Sequence, residues 1–189
     1  MCSKYSNIKP SDVRGTVVSK EGESVEACAE RVTQKEQGNG SPILEKGRKT
    51  ECVDISSLDS LNESCKHTLI GHLGICFTKI SETRIEATMP VNETTCQPYG
   101  LLHGGATLAL GESIAGVGTR VLSKEGERGV GMQVSGNHVS SAVDGDTVLG
   151  VGTLVHKGRS SHVWNVDVFT SAGKLVSTIR VINSILTQR

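Results

Sequence analysis

The chain has 189 residues, and its 20 Lys+Arg balance 20 Asp+Glu to a formal charge of zero. Nucleic acid or an anionic membrane as the main partner would favour a basic excess, which this chain lacks. Aromatic residues make up only 3% of the sequence, too few for a single-stranded nucleic-acid platform with several stacking rings. No apolar run approaches the roughly 20 residues of a spanning helix, and no signal-peptide segment opens the chain. These features predict a soluble, cytoplasmic protein without a nucleic-acid partner or a membrane span.

The six cysteines include no Cys-x-x-Cys pair, and no histidine stands at a zinc-ligand spacing from them. In a cytoplasmic protein thiols stay reduced. We therefore expect free cysteines and no metal site.

Charge is unevenly distributed along the chain. Residues 1–60 carry 19 of the 40 charged side chains, although they form less than a third of the sequence. A short helix fits Ser24–Gln37, but its apolar stripe is thin, and the stretch Gly38–Gly47 resembles a linker. We predict that residues 1–57 form a weakly ordered polar extension and that residues 58–189 form one folded domain. The extension could instead be a docking arm for a partner.

The folded domain begins with short elements. Apolar side chains recur every four residues from Leu61 onward, which predicts a short helix ending near Gly71. Strands are predicted at Gly74–Ile80 and Thr83–Val91, the second with the alternation of a half-buried strand.

The longest helical pattern of the domain runs from about Leu102 to Ser123. Four further strands are predicted after it, at Gly129–Ser140, Asp146–His156, His162–Thr170 and Lys174–Thr187, with glycine in each connecting turn. The resulting order β-β-α-β-β-β-β indicates an α+β fold, in which one long helix packs against a mainly antiparallel sheet.

This helix has an unusual composition. It holds five glycines, each of which costs roughly 0.5–1 kcal/mol relative to alanine in a helix. Among its apolar residues stands Glu112, with no Lys or Arg three or four positions away to form a local ion pair. Two interpretations remain open: Glu112 lies on a solvent-facing edge, or it is an acid placed for chemistry.

The segment His103-Gly104-Gly105 lies at the start of the helix. Free N–H groups and the positive end of the helix dipole at such a terminus can bind an oxygen that gains negative charge. The two glycines leave room for a substrate carbonyl. Together with an acid nine residues later, this segment indicates a reaction at a carbonyl group.

Residues 97–113, QPYGLLHGGATLALGES, closely resemble the helix motif of hotdog-fold acyl-CoA thioesterases, in particular the branch acting on aromatic acyl-CoA thioesters. The likeness extends over about residues 66–186. It implies a hotdog fold and hydrolysis of an acyl-CoA or acyl-carrier-protein thioester, for example of a hydroxybenzoyl or 1,4-dihydroxy-2-naphthoyl group, as in menaquinone biosynthesis. It also implies a homodimer or homotetramer with active sites between protomers, and no cofactor beyond the coenzyme A of the substrate.

The resemblance also implies roles for individual residues. Glu112 matches the nucleophile or general base, and Gln97 matches the glutamine that orients the thioester or the attacking water. His103 and the Gly104 N–H match the groups that polarise the carbonyl. Six further residues are candidates for substrate binding: Gly105, Met132, Gly136, His138, Gly158 and Arg159.

Some of these candidate residues have a simpler structural interpretation. For Met132, Gly136 and His138 the alternative is ordinary sheet packing, and a basic turn such as the one holding Arg159 is commonly just solvated. Gly116 departs from the family, whose members often carry Ser or Thr one turn after the carboxylate.

A non-catalytic hotdog module that senses acyl-CoA is the main alternative function, although the presence of Glu112 speaks against it. A dehydratase or hydratase would need a His and acid pair at a different spacing, which the sequence lacks.

Overall fold

The structure is a computed structural model that describes residues 55–187. The helix predicted at residues 24–37 and the linker after it lie outside the described residues. The described part contains three helices and six strands in chain order: α1 Leu58–Cys65, α2 Leu69–His72, β1 Cys76–Ile80, β2 Arg84–Pro90, α3 Gly104–Leu122, β3 Glu127–His138, β4 Thr147–Lys157, β5 Ser161–Phe169 and β6 Leu175–Thr187.

The six strands form one sheet in the order β1-β2-β4-β5-β6-β3, and all neighbouring strands are antiparallel. Helix α3 lies across this sheet and packs against β2 through β6. Its core side carries Leu110 and Ile114, both fully buried. The predicted α+β fold, with one long helix on an antiparallel sheet, is therefore confirmed.

Small differences from the predicted elements occur at the boundaries. The single short helix predicted before Gly71 is two helices, because Thr68 has extended backbone angles and its side chain caps α2 by accepting from the Ile70 N–H at 3.2 Å. A capping hydroxyl of this kind starts a new helix. No helix within residues 55–187 is long and apolar enough to cross a membrane.

The described cysteines are of two kinds. Cys65 and Cys96 are free, as predicted. Cys76 is disulfide-bonded, so the prediction of free thiols is wrong at this position. No sequence pattern identifies this bond, since disulfide connectivity cannot be deduced from cysteine spacing alone.

Strand β3 forms one edge of the sheet, where it pairs with β6 and with no other strand of residues 55–187. Most of its side chains are exposed, and its pairing is interrupted by a bulge between Gly131 and Gln133. Val130 and Met132 are 42% and 61% exposed. An edge strand with open backbone groups and exposed apolar side chains is a ready surface for pairing with another strand.

Candidate active site

A cavity of about 260 Å³ lies at the N-terminal end of α3. Its polar lining comes from the loop before α3, from the first turns of α3 and from the end of β3. The lining residues are Gln97, Leu101, Leu102, Gly104, Thr107, His138, Ser140, Ser141 and Val176. The cavity therefore brings together three of the residues singled out from the sequence: Gln97, Gly104 and His138.

The loop that carries Gln97 is held in place by backbone hydrogen bonds. The Gln97 N–H donates to the Leu101 carbonyl at 2.8 Å, and the His103 N–H donates to the Thr95 carbonyl at 2.8 Å. The Thr95 hydroxyl donates in turn to the Pro90 carbonyl at 2.8 Å. These contacts tie the loop to the end of β2 and fix Gln97 beside the helix start.

His103 is the N-cap residue of α3. Its Nδ1 accepts a hydrogen bond from the Gly105 N–H at 2.8 Å, so a neutral His103 ring carries its proton on Nε2 and is a donor there. The Gly104 N–H donates to no protein group within residues 55–187. It is therefore available to a ligand at the positive end of the helix dipole.

His138 lies beside the start of the helix. It ends β3, directly opposite Ser177 of β6, and its Nδ1 is 2.7 Å from the Ser177 hydroxyl oxygen. A methyl group placed on Gly104 would lie only 2.6 Å from His138 Nε2. Gly104 thus makes the close approach of the imidazole to the helix terminus possible.

Glu112 lies farther along α3, outside the cavity. It lies eight positions after Gly104, which corresponds to about 12 Å along the helix axis. Its side chain is exposed in the single chain, and Oε1 lies where a methyl group on Gly131 would approach to 2.5 Å. The solvent-facing interpretation therefore describes Glu112 in one chain. Gly116, one turn later, is also exposed, and a side chain there would meet open space.

The remaining predicted binding residues lie away from the cavity. Met132 is in the bulge of β3, while Gly136 is packed closely against Leu108 and Ile179. Gly158 and Arg159 lie in the turn between β4 and β5. The nearby Trp164 of β5 packs against Gly118, so this turn is toward the C-terminal end of α3.

Ser177 contacts His138 of this site and was not predicted from the sequence. Residues 177, 179, 181 and 183 of β6 are buried on the face toward α3. Ser177 and Asn183 are polar residues in phase with that buried alternation. A polar residue at an inward position of a strand is the signal that could have identified both.

A metal ion has no evident place in the described part of the chain. Within residues 55–187, no three His, Cys, Asp or Glu side chains come close enough together to hold one.

Several known proteins are similar to this chain in sequence and in structure. Residues 99–177 match the family model described as the thioesterase superfamily. Over 130 residues, 69% of the chain, it is 38% identical to 1,4-dihydroxy-2-naphthoyl-CoA hydrolase of Escherichia coli, of which it covers 95%. It is 37% identical to the proofreading thioesterase EntH of Cronobacter sakazakii, with 69% of the chain and 94% of the relative covered. A thioesterase structure from Haemophilus influenzae superposes with a TM-score of 0.67 at 36% identity, covering 69% of this chain and 91% of that one.

Proposed function

The chain belongs to the thioesterase superfamily, and on that premise we propose that it hydrolyses an aromatic acyl-CoA thioester to the free acid and coenzyme A. The family resemblance of residues 97–113 and the hotdog fold that it implies are confirmed. The observation that carries the proposal is the convergence of Gln97, the Gly104 N–H and His138 on one cavity at the start of α3. An aromatic acyl group is supported by the relative named 1,4-dihydroxy-2-naphthoyl-CoA hydrolase.

The helix terminus suits the charge that develops in this reaction. Attack on a thioester carbonyl puts negative charge on the carbonyl oxygen, and a backbone N–H aimed at that oxygen stabilises it. The Gly104 N–H has no protein acceptor within residues 55–187 and lies at the positive end of α3. The Gln97 amide, on the same cavity, can orient the thioester or the attacking water.

Glu112 supplies the nucleophile or general base in this proposal. The carboxylate either attacks the carbonyl carbon, displacing the thiolate and leaving an anhydride for water to hydrolyse, or takes a proton from the attacking water. Both roles require it within hydrogen-bond reach of the reacting group. The separation of about 12 Å along α3 prevents Glu112 from reaching a thioester held at Gly104 of its own chain.

A second copy of the chain can bring a Glu112 carboxylate close to a thioester held at Gly104. Within residues 55–187 one edge of β3 pairs with no other strand, and two copies can pair antiparallel along it around a twofold axis. With the axis near Val134, Gly131 of one copy comes close to His138 of the other. Since Glu112 lies over Gly131, its carboxylate is then directed toward the other copy's cavity. The active site of this proposal is therefore shared between two protomers of a dimer or of a dimer of dimers.

The remaining parts of the proposal follow from the substrate. Coenzyme A arrives as part of the thioester, so the reaction needs no separate cofactor and no metal. Arg159, beside Gly158 in the exposed β4–β5 turn, is a cation available to the phosphates of coenzyme A. We place the reaction in the cytoplasm and extend the proposal to thioesters of an acyl-carrier protein, which present the same reacting group.

Replacement of Glu112 by Gln tests the proposal. The amide keeps the size of the side chain but is neither a base nor a useful nucleophile, so kcat/KM for benzoyl-CoA and 1,4-dihydroxy-2-naphthoyl-CoA should fall by about 10²–10⁴. Thiol release is measured for both chains across a panel of acyl-CoA and acyl-carrier-protein thioesters. Glu125→Gln is the matched control, because Glu125 is an exposed carboxylate beyond the end of α3.

Two outcomes would contradict the proposal. If Glu112→Gln hydrolyses the panel as fast as the parent, Glu112 has no part in the chemistry. If the parent binds acyl-CoA but releases no thiol from any thioester, the chain is an acyl-CoA sensor instead of an enzyme.

A further inference from the structure

The side chain of Ser177 carries a hydroxyl that contacts the ring of His138. Ser177 is fully buried, and its hydroxyl has one hydrogen-bond partner within residues 55–187, namely Nδ1 of His138 at 2.7 Å. A buried hydroxyl whose proton finds no acceptor carries a free-energy penalty, so buried O–H groups donate wherever an acceptor is in reach. The acceptor within reach here is His138 Nδ1.

This hydrogen bond decides where the imidazole carries its proton. A neutral histidine has one protonated nitrogen, and the nitrogen that accepts a hydrogen bond is the other one. Because Nδ1 accepts from Ser177, His138 carries its proton on Nε2. The ring therefore offers an N–H donor on the side that faces Gly104.

The Nε2 atom of His138 lies next to Gly104, at the start of α3. Nε2 lies 2.6 Å from the place that a methyl group on Gly104 would occupy, and both residues line the same cavity. The Gly104 N–H is a second donor there that has no protein acceptor within residues 55–187. Two donors that face one cavity at a helix N-terminus can hold a single oxygen that gains negative charge.

We propose that Ser177 is a positioning residue, which holds His138 as an Nε2–H donor so that His138 and the Gly104 N–H together bind the thioester carbonyl oxygen. Ser177 does not touch the substrate in this arrangement. His138 donates a hydrogen bond to the carbonyl oxygen and does not act as a base, because its outward nitrogen already carries the proton. The inference rests on the proposed thioester hydrolysis and adds a second donor to it.

A double-mutant cycle separates positioning from a merely structural role. Removing a positioning contact matters only while the positioned group is present, so the effects of such a pair are not additive. Ser177→Ala should lower kcat/KM about tenfold in the parent, mainly through kcat, because the ring loses a hydrogen bond that fixes it. In the His138→Ala background the same substitution should change kcat/KM by less than about twofold.

Two conservative variants sharpen the cycle. Ser177→Thr keeps the hydroxyl and should retain more activity than Ser177→Ala. His138→Gln places an amide N–H near the position of Nε2 and should retain more than His138→Ala. The proposal would be overturned if Ser177→Ala lowered kcat/KM equally in the parent and in the His138→Ala background, or if it caused no loss in the parent.

The tautomer is measured directly by long-range ¹H–¹⁵N correlation of the full-length chain with ¹⁵N-labelled histidine. His138 is assigned by the signal that disappears in His138→Gln. At a pH where the ring is neutral, the proposal predicts protonation at Nε2, and protonation at Nδ1 instead would overturn it. This spectrum needs no turnover, so a chain that hydrolyses no thioester would refute the proposed function while the spectrum still decides the Ser177–His138 arrangement.

Discussion

The polar groups at the two ends of α3 differ in whether they have hydrogen-bond partners in the protein. Near the C-terminal end, the Thr119 hydroxyl oxygen accepts from Trp164 Nε1 at 3.2 Å and from Asn183 Nδ2 at 2.8 Å, and Asn183 also donates to the Ala115 carbonyl. All three side chains are buried. At the N-terminal end, the Gly104 N–H has no protein partner within residues 55–187, and Gly104 lines a cavity.

This difference separates stability from function along one helix. Buried polar groups that pair with each other specify how the core packs and leave nothing to offer a ligand. Polar groups that face a cavity with unused hydrogen bonds add little to folding but can bind a substrate. We therefore expect substitutions at the C-terminal end of α3 to change the free energy of unfolding, and substitutions at the N-terminal end to change the rate.

Among substitutions at the two ends of α3, Gly104→Ala should give the largest effect. The added methyl group would lie 2.6 Å from His138 Nε2, so the exposed imidazole must move away from the helix start. Loss of one donor from an oxyanion site typically costs about 10²–10³ in rate, and we expect kcat/KM to fall by about 10². The free energy of unfolding should fall by less than in a core substitution, because the weakened Ser177 contact is partly offset by the roughly 0.5–1 kcal/mol that alanine gains over glycine in a helix. Steady-state thiol release and urea denaturation measure the two quantities, and a large loss of stability without loss of rate would contradict the comparison.

Thr119→Val tests the opposite end. The substitution keeps the shape of the side chain but leaves Trp164 Nε1 without its acceptor in the core. We expect a loss of about 1–3 kcal/mol in the free energy of unfolding, measured by the urea midpoint, with the kcat of the folded protein preserved. Thr119→Ser is the control, since it keeps the hydroxyl. Equal stability of the Val and Ser variants would show that this network does not stabilise the core.

His162 gives the smallest expected effect, and it depends on pH. This side chain of β5 is 3% exposed, and its Nδ1 has no hydrogen-bond partner within residues 55–187. Burial, and then the positive charge of Lys157, lower the pKa of His162 below its ordinary value. The unfolded chain then binds a proton more readily than the folded one, so stability should decrease as the pH falls below about 6.5.

Replacing His162 by Gln should remove part of this pH dependence. The measurement is the free energy of unfolding between about pH 5 and pH 8, where an unperturbed histidine titrates. The exposed His72 supplies the control variant His72→Gln. If His162→Gln and the parent lose stability in parallel as the pH falls, the titration of His162 is not the cause.

Much of the fold could be predicted because its patterns are local. The alternation in the segment of β2 and the long pattern of α3 fix both the type and the order of the elements. The split at Thr68 escaped prediction because a single cap decides it. Glu112 stood out by its apolar neighbours on the helix, yet its exposure depends on what covers α3 and cannot be read from those neighbours.

The parts of the site that escaped prediction are set by distant pairings. Ser177 acts on His138, 39 residues away in the chain, because β3 and β6 are neighbours in the sheet and place the two residues opposite each other. Sequence spacing does not report such a register. The placement of Glu112 near Gln97 is still harder to predict from the sequence, because in the proposed dimer the two residues come from different copies of the chain.

Subunit complementation tests this central claim most directly. Glu112→Gln and Gln97→Ala chains, each inactive alone, are unfolded together in equal amounts and refolded as a mixture. If each site takes Gln97 from one chain and Glu112 from the other, a mixed dimer contains one intact site, and random pairing should restore about a quarter of the parent's specific activity. Gln97→Ala mixed with the double variant Gln97→Ala/Glu112→Gln is the control and should remain inactive. No recovery in the mixture of the two single variants, although size-exclusion chromatography and differential tagging show that mixed dimers have formed, would contradict a site shared between protomers.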